Sequence, residues 1–219
     1  TQPNHLTYIG GVVGSDYYPK SQSESNIVDC VNEGNINYHN DVGTSNSAVG
    51  GIVGWPGKES ACTNVTERCV NKGNITVSGA GKVSLGGIQG GSGIIVDCSN
   101  SGSIVVNSTN SGSVYGGVAG FHSGAYKLTG STNTGDVVAN CAISAGGVGG
   151  LMGNIGNAAH AAGLIANNTV KCLVRSVEGT CGVGMIVGHF NGNTKEIHFG
   201  DASAPIKVGG TLQIGDNVV

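Results

Sequence analysis

The chain has 219 residues, a formal net charge of −3, 11% charged residues and 41 glycines. Charge this sparse excludes a basic nucleic-acid footprint and a polybasic anchor for anionic lipid, and no apolar run approaches the ~18 residues of a membrane-spanning helix. Glycine far exceeds its usual ~7%, yet the every-third spacing of collagen is missing, and 38% hydrophobic residues are too many for a disordered chain. What remains is many short strands joined by tight turns.

In chain order, the opening Thr1-Gln2-Pro3-Asn4-His5-Leu6 is neither a signal peptide nor an initiator methionine, and reads as the start of a processed chain or of a segment of a longer protein. Gly10-Gly11-Val12-Val13-Gly14 then introduces a Gly-Gly-aliphatic-x-Gly motif. It returns at Gly50–Gly54, Gly86–Gly90, Gly116–Gly120 and Gly149–Gly153, and decays at Gly184–Gly188, in steps of 40, 36, 30, 33 and 35 residues. Between the copies lies Cys-x-Asn-x-Gly-x-aliphatic: Cys30–Ile36, Cys69–Ile75, Cys98–Ile104 and, with Ser for Cys, Ser131–Val137. From about Lys171 this half of the pattern is gone, as is common where a terminal repeat caps an array.

Each repeat therefore predicts a strand at the glycine motif, a variable loop, a strand entering the Cys, a turn at Asn-x-Gly and a third strand such as Ile75-Thr76-Val77. One unit cannot bury its apolar face, but stacked units set Cys over Cys, Ile over Ile and Asn over Asn. Asn32, Asn71, Asn100 and Asn133 would then bond from coil to coil as a ladder. Glycine suits corners where φ is positive. The expected architecture is all-β: a right-handed parallel β-helix, or solenoid, with three strands per coil and repeats of about 30–40 residues. It forms a single domain over 1–219, with clear repeats at 10–153 and divergent repeats or a cap at 154–219. The Ala-rich stretch 158–162 is the one candidate helical turn.

Seven cysteines cannot all pair within the chain. Cys62 with Cys69, or Cys172 with Cys181, would suit disulfides in an oxidising compartment, whereas Cys30, Cys69 and Cys98 share one repeat position and read as small buried hydrophobes.

These motifs resemble the GLUG-type repeat of bacterial surface proteins, over Gly10 to Gly153, and the closing Pro205–Gly210 resembles the end of such arrays in gut Bacteroidales. The resemblance implies a secreted or outer-membrane-anchored, adhesin-like protein at the cell surface, with further domains in a longer parent chain. It carries over no catalytic or binding residue.

Chemistry is sparse in the sequence. There is no nucleophile elbow, zinc-binding His-Glu-x-x-His or phosphate loop, and the six histidines have no metal-ligand spacing, so neither cofactor nor metal is expected. Asp29, Arg68 and Asp97 share the position before the Cys. They form either a solvated column of ion pairs or, with Asp29 and Asp97 as acid and base, the site of a polysaccharide lyase or hydrolase. The aromatic residues are more suggestive, because Tyr17 and Tyr18, Trp55, Phe121 and Phe190 each follow a copy of the glycine motif closely. Stacking would gather them on one edge, where they either cover a corner or hold sugar rings or a partner's anchor residues. The leading expectation is a non-enzymatic adhesin-like module that binds a glycan or a host surface or matrix protein; a structural stalk and a polysaccharide-degrading enzyme are the alternatives.

Overall fold

In a computed structural model the chain is an all-β solenoid of parallel in-register strands, with no helix among the described residues. The structure describes residues 6–15, 26–41, 46–56, 64–91, 93–122, 127–156, 163–177, 182–190 and 197–218. The Ala-rich stretch lies outside them, as do Cys62 and Cys181.

Successive repeats supply successive strands of each sheet. The first sheet stacks Thr7–Gly10, Asn46–Gly50, Lys82–Gly86, Val114–Gly116, Gly147–Gly149 and Gly182–Gly184. Its inward column is Ile9, Val49, Leu85, Tyr115, Val148 and Val183, and Val49 through Val148 are fully buried. A six-stranded sheet opposite is built from Asn26–Val28, Val65–Glu67, Ile94–Val96, Lys127–Thr129, Gly163–Ala166 and Ile197–Phe199. An 11-stranded sheet closes the coil with the strands on either side of Asn-x-Gly, such as Val70–Asn71 and Ile75–Gly79. Its column Ile75, Ile104, Val137 and Val174 is fully buried. A buried branched side chain of this kind contributes roughly 1.5–3 kcal/mol, and every complete coil adds several.

The glycine motif works differently from the expectation. It is not one strand but a tight reversal between two. In the second coil, Asn46–Gly50 leads into the reversal and Val53–Trp55 leads out. The outgoing strands fold back against the first sheet and pair as Val13–Ser15 with Val53–Trp55, and as Ala119–His122, Met152–Ile155 and Val187–Phe190; Gln89 bridges the two sets. No motif glycine has a positive φ. What glycine supplies is room. A Cβ on Gly54 would sit 2.6 Å from the Ile9 nitrogen, one on Gly90 2.5 Å from that of Val49, and one on Gly120 2.6 Å from that of Leu85. Backbone thus packs on backbone, and any side chain would push the layers apart. The non-glycine residues of positive φ are Asp29, Arg68, Asp97 and Asn167, and Gly130 joins them. These five share one repeat position, the corner before the Cys.

Two side-chain ladders lock the register. The Nδ2 of Asn32 donates to the Oδ1 of Asn71, Asn71 to Asn100 and Asn100 to Asn133, each at 2.8 Å. Each amide also donates to the carbonyl two residues on, at 2.9–3.0 Å. The cysteine column is more than apolar filling. Cys98 Sγ accepts from the backbone N–H of Cys69 at 3.4 Å and faces the Thr66 carbonyl at 3.4 Å. One coil on, Ser131 Oγ accepts from the Cys98 N–H at 3.2 Å, and then Asn168 Oδ1 from the Ser131 N–H at 2.9 Å. Thiol, hydroxyl and amide serve the same bond. Cys30, Cys69, Cys98, Cys141 and Cys172 are free thiols; each sequence-derived disulfide has a partner, Cys62 or Cys181, outside the described residues.

Where Asn-x-Gly is missing, the corner straightens. Thr169–Ser176 runs unbroken opposite both halves of the preceding coil. Lys207–Ile214 pairs along its whole length, and Asn217–Val218 turns back antiparallel on it.

Candidate functional site

The reversal at the glycine motif has a second consequence. The outgoing strand lies over the outer face of the first sheet, and where its side chains are large the two layers part into a cleft of about 420 Å³. Its floor is the outer face of the first sheet, including Tyr8, Ala48, Ser84 and Val114, which share one register column. Its wall is formed by Trp55, Phe121 and Asn154.

The wall residues also form a register column: Ser15 opposite Trp55 in the first pair of strands, and Phe121 opposite Asn154 opposite His189 in the later three. Gly91 occupies the same place in the coil between Trp55 and Phe121, two residues after the bridging Gln89. Trp55 and Phe121 thus stand two coils apart, roughly 10 Å at the usual inter-strand spacing. Gly91 seats the indole: a Cβ there would fall 2.1 Å from Trp55 Cε3. On its other side the indole stacks on Tyr8, with ring centroids 5.7 Å apart and planes inclined by 25°. Tyr8, Trp55 and Phe121 are all half-buried, so they present faces to the cleft without being free to rotate away.

Asn154 is the polar feature of the wall. It is 7% exposed, its Nδ2 lies 3.3 Å from His189 Nδ1, and its Oδ1 has no hydrogen-bond partner among the described residues. A buried acceptor left unpaired costs roughly 1–3 kcal/mol.

Of the sequence-derived aromatic set, the cleft therefore unites Trp55 and Phe121. Phe190 stands apart: it pairs in register with Ile155, one residue beyond the wall column, and is exposed. Tyr17 and Tyr18 lie outside the described residues. Tyr8 was missed because it precedes the motif; its signal was its alignment with Ala48, Ser84 and Val114 in the outward column. Nothing in the sequence pointed to Asn154, since no other coil has an amide there.

The Asp29–Arg68–Asp97 column is an exposed ridge away from this cleft. Arg68 clasps Asp29 with Nε and Nη2 at 2.8 and 2.9 Å, and turns Nη1 to Glu67. The guanidinium holds the Asp29 carboxyl below the ordinary carboxylate range. A parallel pair, Lys72 on Glu33 at 2.8 Å, marks another repeat position. No cluster of three metal-ligating side chains occurs among the described residues, and no helix is long and apolar enough to cross a membrane.

No protein-family model, no curated protein and no solved structure matches this chain.

Proposed function

We propose that this solenoid is a non-enzymatic, adhesin-like module of the cell surface that binds a glycan in the cleft between its folded-back strands. The observation that carries the reading is the aromatic wall: Trp55 stacked on Tyr8, with Phe121 two coils further along. Aromatic faces spaced along a groove fit consecutive sugar rings, whose C–H faces are apolar and whose edges carry hydroxyls. The surface location rests on the resemblance of the repeats to GLUG-type arrays.

The aspartate column favours binding over hydrolysis. A general acid at a glycosidic bond needs a raised pKa, whereas Asp29 is exposed and held ionised by Arg68. The stalk reading has its own support, because the Asn ladder ties four coils into one rigid rod. Both roles fit one molecule, and the cleft separates them.

Trp55 is the sole tryptophan, so intrinsic emission reports directly on the wall. Titration with an oligosaccharide panel is expected to shift or quench that emission saturably, and Phe121→Ala to weaken the effect. A broad panel that leaves Trp55 emission unchanged would falsify the glycan reading and leave the stalk.

A further inference from the structure

We infer that the cleft is built for an acidic saccharide, with Lys82 as the partner of a sugar carboxylate; this rests on the glycan reading above. Among the described residues, Lys82 is the only charged one lining the cleft, and no carboxylate lines it. Its register neighbours on the outer face are Asn46 on one side and, two residues before Val114, Gly112 on the other. The Lys82 side chain runs past Gly112, with Cδ and Cε 3.8 Å from where a Cβ on that glycine would stand. The aliphatic stem packs along this glycine while the head remains exposed, the usual disposition of a lysine that serves a ligand from a rim.

Like Lys127 and Lys171, Lys82 has no ion-pair partner among the described residues. Its level along the axis is what separates it from them. It belongs to the same coil as Gly91, the coil between Trp55 and Phe121. The cation therefore faces the stretch where a ring bridging the two aromatic side chains would lie. A sugar seated there presents its ring faces to the wall and its carboxylate across the cleft to Lys82. In a chain of net charge −3, an unmatched lysine also offsets the general repulsion that an anionic ligand would meet.

The test pairs each of several acidic oligosaccharides (hexuronate- and sialate-containing) with its carboxyl-reduced counterpart. Binding is measured by calorimetry at low and at 0.5 M salt, for the wild-type chain, Lys82→Gln and the Trp55→Ala, Phe121→Ala double variant. At least one acid is expected to bind about 5- to 10-fold more tightly than its reduced form, the range for a partly exposed charged hydrogen bond. That preference should shrink in salt and vanish in Lys82→Gln, whose affinity for the reduced form stays at the wild-type value. Equal affinity for acid and reduced form, lost together in the double variant, overturns the acidic specificity and leaves the glycan cleft standing. A preference that survives Lys82→Gln also overturns the inference, because the anion is then recognised elsewhere. Binding of no oligosaccharide overturns both readings.

Discussion

Replacing Asn100 by Ala tests the amide ladder at its most demanding point. The side chain is 1% exposed. It donates to Asn133 Oδ1 at 2.8 Å and to the Gly102 carbonyl at 3.0 Å, and accepts from Asn71 Nδ2 at 2.8 Å. The substitution therefore strips one partner from each of three buried groups. Asn71 keeps the Gly73 carbonyl at 2.9 Å, and Asn133 Oδ1 keeps the Gly135 N–H at 3.3 Å. With roughly 1–3 kcal/mol for each unsatisfied buried group and partial compensation at two of them, the expected loss is about 3–5 kcal/mol. Against a typical total of 5–15 kcal/mol, that is a large fraction. Asn32→Ala is the comparison, since Asn32 lies at the end of the ladder and, of its neighbours in other coils, touches only Asn71, its other two bonds being to Gly34. It strips a donor from the buried Asn71 Oδ1 and should cost about 1–3 kcal/mol. Urea unfolding followed by far-UV circular dichroism reads both. A changed m-value in Asn100→Ala would mean that coils unfold separately. If Asn100→Ala is no more destabilising than Asn32→Ala, the ladder does not hold the coils together and the reasoning fails.

Four further outcomes follow from the same geometry. Gly90→Ala would place a Cβ 2.5 Å from the Val49 nitrogen, against backbone that cannot yield, so the variant is expected to lose cooperative unfolding or to be recovered only as insoluble protein; a wild-type melting curve would refute backbone-on-backbone packing. Gly91→Ala meets only the indole of Trp55; it should leave the circular dichroism spectrum unchanged, red-shift the tryptophan emission and weaken ligand binding. Cys98→Ser should shift the unfolding free energy by less than about 1 kcal/mol, because Ser131 makes the same bond one coil on, whereas Cys98→Val, without donor or acceptor, should cost about 1–3 kcal/mol; alkylation with mass spectrometry should find Cys69 and Cys98 protected until urea unfolds the chain. Arg68→Ala should leave the neutral-pH midpoint unchanged, because its ion pairs are solvent-exposed. The Arg68 contact depresses the Asp29 pKa from 3.8, so any contribution of the pair is complete above that value and fades only as pH falls below it; a large loss at pH 7 would contradict this.

The repeat architecture was legible because its determinants are periodic. Asn32, Asn71, Asn100 and Asn133 recur at one place in the motif, and the ladder they predict is the ladder observed. The glycines were legible as positions but not as reasons. A glycine that supplies a positive φ and one that leaves room for a neighbouring carbonyl look alike in sequence, and only the neighbouring layer tells them apart. Of the non-glycine residues that do take positive φ, Asp29, Arg68, Asp97 and Asn167, the first three were read instead as a charge column. They are that as well: the left-handed corner turns these side chains toward solvent, where Arg68 reaches Asp29. The folded-back strand escaped notice because two or three residues such as Val53–Trp55 are too few to show a period.

The cleft lies where this periodicity fails, and that is the strongest reason to assign it a role. In the structural columns substitutions preserve one job: Cys, Ser and Asn all accept the same backbone N–H, and Ile, Val and Leu all fill the same layer. The wall column obeys no such rule. It runs Ser15, Trp55, Gly91, Phe121, Asn154 and His189, changing size and polarity at every coil. The facing outer column of Leu6, Asn46, Lys82 and Gly112 is equally irregular. Stacking does not require this irregularity, since a column of identical small residues would close the layers along their whole length, as the glycines one residue earlier do. A single Trp seated on a single Gly, an amide oxygen left unpaired and a single lysine in the facing column are each a departure from the repeat, and all of them converge on one cleft. In a rod whose every other feature is dictated by the coil above and below, the non-repeating face is the part whose composition must answer to something outside the rod.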